Sequence, residues 1–179
     1  MAAKTPPWTH GLMMWIAWTV CGITQVVSAR YMGLQYVGRV RLHMTAGTFA
    51  CMICLFAALL AWSNSDFKLK VSYHSVTGLI VVVQIPFAFV IAMGAYSTRY
   101  GFGEWNVKFV ETLNNVHKYH GYALIGISQV AVSMGMAYYF LSLGKKGAAI
   151  GLIAGNFVVF AGLITWLEIN LQKTLSAPT

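Results

Sequence analysis

A chain of 179 residues that is 58% hydrophobic and only 9% charged lies far from the composition of a soluble globular domain. Its formal charge of +8 does not gather into a stripe or cluster, so the sequence leaves no footprint for nucleic acid. The basic residues sit singly or in pairs at the ends of apolar runs, where they suit anchors at lipid headgroups.

Five apolar runs, at 9–29, 42–62, 73–97, 117–142 and 147–168, each reach the roughly 20 residues needed to cross a bilayer. The loops between them are short, so neighbouring spans are expected to pack antiparallel. The reading is all-α: a polytopic membrane helix bundle in one domain over residues 1–179, with a four-helix core at about 9–142 and one C-terminal helix. Lys4, Lys68, Lys70, Lys145 and Lys146 fall on the N-terminal side, and Arg30, Arg39, Arg41, Arg99, Lys108, Lys118 and Lys173 on the other. That split is too even for the positive-inside rule to fix orientation.

Span 1 carries His10-Gly11-Leu12-Met13-Met14-Trp15 and ends at Ala29-Arg30-Tyr31. Lys4, the apolar run and Val27-Ser28-Ala29 imitate a signal peptide, but cleavage there would discard His10, and the segment is expected to be retained. Span 2 opens near His43 and closes in the turn-forming Trp62-Ser63-Asn64-Ser65-Asp66. It contains Cys51 and Cys54, which with Cys21 read as small packing residues inside lipid. Span 3 runs from His74 past Gln84 to Pro86, where a kink is expected. The longest loop, about 98–116, holds Gly101, Gly103 and Glu104-Trp105-Asn106-Val107-Lys108-Phe109, a mixture that suits a short interfacial segment. Span 4 opens with His117 and His120. Span 5 bears Gly147, Gly151 and Gly155 at four-residue spacing, a ridge for close helix contact, either inside the bundle or with another protein.

His10, His43, His74 and His117 therefore each stand at the beginning of an apolar span. Ionisable residues in spans are uncommon and mark function. Because consecutive spans run in opposite directions, His10 and His74 fall near one membrane face and His43 and His117 near the other. No carboxylate lies deep enough to join them in a bare zinc or di-iron site. Two neutral imidazoles per leaflet instead suit bis-histidine haem iron, in the pairs His10 with His74 and His43 with His117. Glycine follows by four residues at Gly47, Gly78 and Gly121, where bare backbone on the same helix face would admit a flat macrocycle. At His10 the position is Met14. Ligands in the first turns of opposed helices would set two irons on the order of 20 Å apart. His120 competes with His117 for the fourth place, or bonds a haem propionate.

These residues together resemble the cytochrome b561 family, in particular the membrane module of its DOMON-linked members. The likeness covers about residues 10–140. It rests on the HGLMMWIAW run with the later Ala29-Arg30-Tyr31, the His43 span, His74 to Gly78 followed by Gln84, and His117-Lys118-Tyr119-His120-Gly121-Tyr122. The resemblance implies two b-type haems passing electrons across a membrane, an ascorbate-like anionic reductant, and a ferric or monodehydroascorbate acceptor. It implies the four ligands in the pairing above, and a vesicle, vacuole or plasma membrane. Arg30, Arg39 and Arg41 would balance propionates, attract the reductant or anchor at the interface. The chain departs from the family in having no DOMON domain, one span outside the core, and no tryptophan shortly before the second ligand. A competing expectation is an accessory subunit of a larger membrane complex, as in a mitochondrial inner membrane, or a homodimer, with or without haem. A transporter lined by Gln84 and Pro86 finds no intramembrane carboxylate to support it.

Overall fold

In a computed structural model, residues 5–32, 36–68, 71–101 and 105–176 are described, and they contain no strand. Lys4, Lys70, Gly103 and Glu104 lie outside the described residues. Five helices are long and apolar enough to cross a membrane, as in a multi-pass membrane protein. We number them α1 (Pro7–Arg30), α2 (Tyr36–Asn64), α3 (Tyr73–Tyr100), α4 (Val107–Ser142) and α5 (Lys146–Ser176).

The chain divides into two compact units, one of residues 1–68 with 132–179 and the other of residues 69–131. In the first, α1 and α2 form an antiparallel hairpin. Pro7 suits the first turn of α1, where a missing N–H costs nothing. Asn64, ending α2, reaches the start of α1, its Nδ2 donating to the Thr5 carbonyl at 3.0 Å while its Oδ1 accepts from the Thr5 N–H. Beyond Asn64 the chain turns through Asp66 and Phe67, both in the left-handed region, with Phe67 set edge-on to Trp62. A π-helical turn over Ile16–Cys21 interrupts α1. Such a turn takes in one extra residue and recurs at functional sites.

α5 docks on α1 through two polar clusters. Trp15 Nε1 and Thr19 Oγ1 both donate to Oδ1 of the buried Asn156, at 3.1 and 3.3 Å. Near the other end, Arg30 grips Glu168 with both arms, and the Tyr31 hydroxyl donates to the same carboxylate. Burial and then the bond to Glu168 push the Tyr31 hydroxyl above its usual range. The glycine ridge of α5 is left open among the described residues. Gly147, Gly151 and Gly155 are exposed, and a methyl at any of them would meet nothing within 4 Å among the described residues.

In the second unit, a capping box between Ser72 and Ser75 starts α3 and fixes His74 in its first turn. α3 runs through Pro86 as one helix and ends where Gly101 turns left-handed at φ 102°. The expected loop over 98–116 is much shorter. Asn106 caps α4 by accepting from the Lys108 N–H, so the anticipated interfacial segment is the first turn of that helix. The apolar faces left open, such as Phe49, Met52, Phe56 and Leu59 on α2, match lipid as their solvent.

Candidate functional site

His74 alone sits at the very start of its helix. His10 follows Pro7 within the first turn of α1, but α2 begins seven residues before His43, and α4 ten residues before His117. The expectation of four first-turn ligands is corrected accordingly. The apolar run marks where lipid begins, whereas amphipathic turns such as Val107-Lys108-Phe109-Val110-Glu111 carry the helix beyond it.

Three of the histidines share one arrangement. His10 Nδ1 lies 2.9 Å from the Ala57 carbonyl, His43 Nδ1 3.0 Å from the Gln25 carbonyl, and His74 Nδ1 3.0 Å from the Ala131 carbonyl. Each acceptor belongs to the neighbouring helix of the same hairpin. A carbonyl only accepts, so Nδ1 must carry the proton, and the lone pair of the neutral ring sits on Nε2. An outer hydrogen bond of this kind is how proteins orient imidazoles that bind metal and raise their basicity. His120 differs. Its Nε2 lies 2.9 Å from Gln84 Oε1 and donates to it, which moves the lone pair to Nδ1. All five histidines are partly buried.

The three glycines do not behave alike. A methyl at Gly78 or Gly121 would find nothing within 4 Å, whereas one at Gly47 would meet Gln25 Oε1 at 3.1 Å. Gly47 therefore permits close approach of α1. Arg30, a candidate for a propionate or an anionic reductant, instead has its fork occupied by Glu168. Cys21, Cys51 and Cys54 are free thiols within helices, and Cys54 is fully buried.

The donor set fits haem in two respects: the tautomer imposed on His10, His43 and His74, and the open backbone at Gly78 and Gly121. Among the described residues no group of three or more His, Cys, Asp or Glu is placed to hold a metal ion. A haem, asking two imidazoles, does not need one. Sequence reasoning missed the carbonyls of Ala57, Gln25 and Ala131, since every residue offers a carbonyl and none announces its partner. It also missed Asn156 and Glu168 as anchors of α5; a polar residue inside an apolar run was the available signal.

No family model, curated protein or solved structure matches this chain.

Proposed function

We propose that the protein carries electrons across a membrane through two b-type haems, one held by His10 and His74, the other by His43 and His117. Each pair takes one histidine from each hairpin. The observation that carries this reading is the shared Nδ1–H bond of His10, His43 and His74 to a main-chain carbonyl of the neighbouring helix. The bond directs the Nε2 lone pair of each neutral ring away from that carbonyl, the orientation an axial ligand uses. Haem iron, when bound, supplies the one-electron step by cycling between ferric and ferrous states. The protein's part is to orient the imidazoles, to leave bare backbone at Gly78 and Gly121, and to surround the sites with lipid-facing apolar helices that exclude water. The b561 likeness adds an ascorbate-like anionic donor and a ferric or radical acceptor, with the exposed Arg41 near one end of α2 available to attract the donor.

Haem stoichiometry and a reduced-minus-oxidised spectrum on the purified protein test this directly. Two b-type haems per chain are expected. His10→Ala and His74→Ala should each remove the same haem, and the double variant should remove no more. A colourless, folded preparation from haem-replete cells would sink the reading, and loss of a different haem by each variant would break the pairing.

A second reading is favoured by the glycine ridge of α5, open among the described residues: an accessory subunit whose Gly147, Gly151 and Gly155 meet a helix of another membrane protein. Stable co-purification with a multi-subunit assembly, abolished by Gly151→Leu, is its expected signature.

A further inference from the structure

His10 and His43 cross-link α1 and α2 reciprocally. Each donates its Nδ1–H to a carbonyl of the other helix, His10 to Ala57 and His43 to Gln25. For both bonds to form at once, the stretch from His10 to Gln25 must match the stretch from His43 to Ala57 in rise and in direction. The two are unequal in sequence. Along α2 the step is fourteen residues, and along α1 it is fifteen.

Fourteen residues rise ~21 Å and, at the about 3.5 residues per turn of a left-handed helix pair, make about four turns. His43, Ala50 and Ala57 therefore recur on one stripe of α2, and Ala50 and Ala57 are both buried. On α1 the same count from His10 gives Ala17, also buried, and then Thr24. Thr24 does not take the next place: its hydroxyl donates to the Val20 carbonyl of its own helix at 2.9 Å. Gln25 takes it, with its carbonyl on His43 and its side chain in front of Gly47. An unbroken α-helix would carry Gln25 about 1.5 Å too far along and about 100° round, away from His43. The π-turn over Ile16–Cys21 lies between the two bonds and takes in one extra residue, which restores the match.

We infer that this π-turn is a positioning element for both histidines of the hairpin: it absorbs the odd residue, so that His10 and His43 are fixed as Nδ1–H tautomers together, at levels ~21 Å apart on one helix pair. The inference concerns the imidazoles and holds whatever their Nε2 atoms bind. It also locates where α1 accepts a change of length. Val20 is the exposed residue of the turn, so its deletion empties no packed space and lets the turn close into regular α-helix. Met52, exposed on α2, lies between His43 and Ala57 in an uninterrupted α-helix. No bulge there can take up its deletion, and the register of one bond is lost.

Nitrogen NMR of the full chain in detergent, isotopically labelled on the histidine rings and kept under reductant so that any bound iron is diamagnetic, reads the tautomers directly. His10→Gln and His43→Gln assign the two signals, whose Nδ1 protons should exchange slowly. Deletion of Val20 should keep both. Deletion of Met52 should lose at least one or leave the chain unfolded, whereas Met52→Ala, which removes the side chain but preserves the count, should keep both. If the π-turn merely packed α1, shortening it would cost these bonds no less than shortening α2. Loss of either signal, or of the fold, on deletion of Val20 overturns the inference, as does survival of both signals on deletion of Met52. Haem content measured on the same samples reads the two-haem proposal separately.

Discussion

In the hairpin of α1 and α2, the Gln25 side chain approaches the space in front of Gly47, while in the hairpin of α3 and α4 a methyl at Gly78 or Gly121 would meet no atom within 4 Å. The same sequence pattern, histidine followed by glycine four residues later, thus does two jobs. At Gly47 it lets a neighbouring helix come close. At Gly78 and Gly121 it leaves bare backbone that the described chain does not cover. The difference teaches that a glycine beside a histidine is a ligand signal only where something outside the chain must supply the missing contact.

The largest effect that would sharpen this contrast comes from filling the open glycines. Gly78→Leu should fold, because nothing stands in its way, yet it should lower haem content from two per chain to one. Gly121→Leu should do the same for the other haem. Gly47→Ala should keep both haems, since the flexible end of Gln25 need yield only a few tenths of an ångström. Pyridine-haemochrome content per folded chain reads all three; retention of two haems by Gly78→Leu would mean that the open backbone faces lipid alone.

A smaller effect separates the units by their anchors. The first unit holds α5 through Asn156, and Asn156→Leu removes the acceptor that Trp15 and Thr19 share across the two helices. Interhelical hydrogen bonds in membranes contribute about 1 kcal/mol. Unfolding should therefore come earlier by about that amount, with faster hydrogen exchange in α1 and unchanged exchange in α3. Equal acceleration in both would show that the two units open together.

Five spans were legible because lipid demands continuous apolar length, and each apolar run found its helix. The helix ends were not. Residues 107–116 mix Lys108, Glu111 and Asn114 with apolar neighbours, so hydropathy reads them as loop while the backbone continues as helix from Asn106. The π-turn over Ile16–Cys21 left no mark either, since Ile16-Ala17-Trp18-Thr19-Val20-Cys21 holds neither glycine nor proline. Pro86, which did leave a mark, does not end its helix. Of the candidate site, the histidines and glycines could be picked out by spacing. Their hydrogen-bond partners could not, because a main-chain carbonyl has no letter. Arg30 misled for a related reason: its partner Glu168 lies 138 residues away, and nothing local reports that its fork is occupied.

That ion pair gives the smallest expected effect and the sharpest use of a control. Arg30 and Glu168 are both partly open to solvent, so the pair is screened and adds little to stability. Glu168→Gln should leave haem content and the unfolding midpoint almost unchanged. It should, however, release a guanidinium fork suited to a carboxylate or an enediolate anion. If the reductant docks at this end of α1, Glu168→Gln lowers the ascorbate concentration needed for half-maximal reduction rate, and raising the salt concentration removes the gain. Arg30→Gln in the wild-type background should then change little, because the fork it deletes was already engaged. A strong loss of reduction rate from Arg30→Gln alone would reverse that assignment and make the ion pair itself part of the donor site.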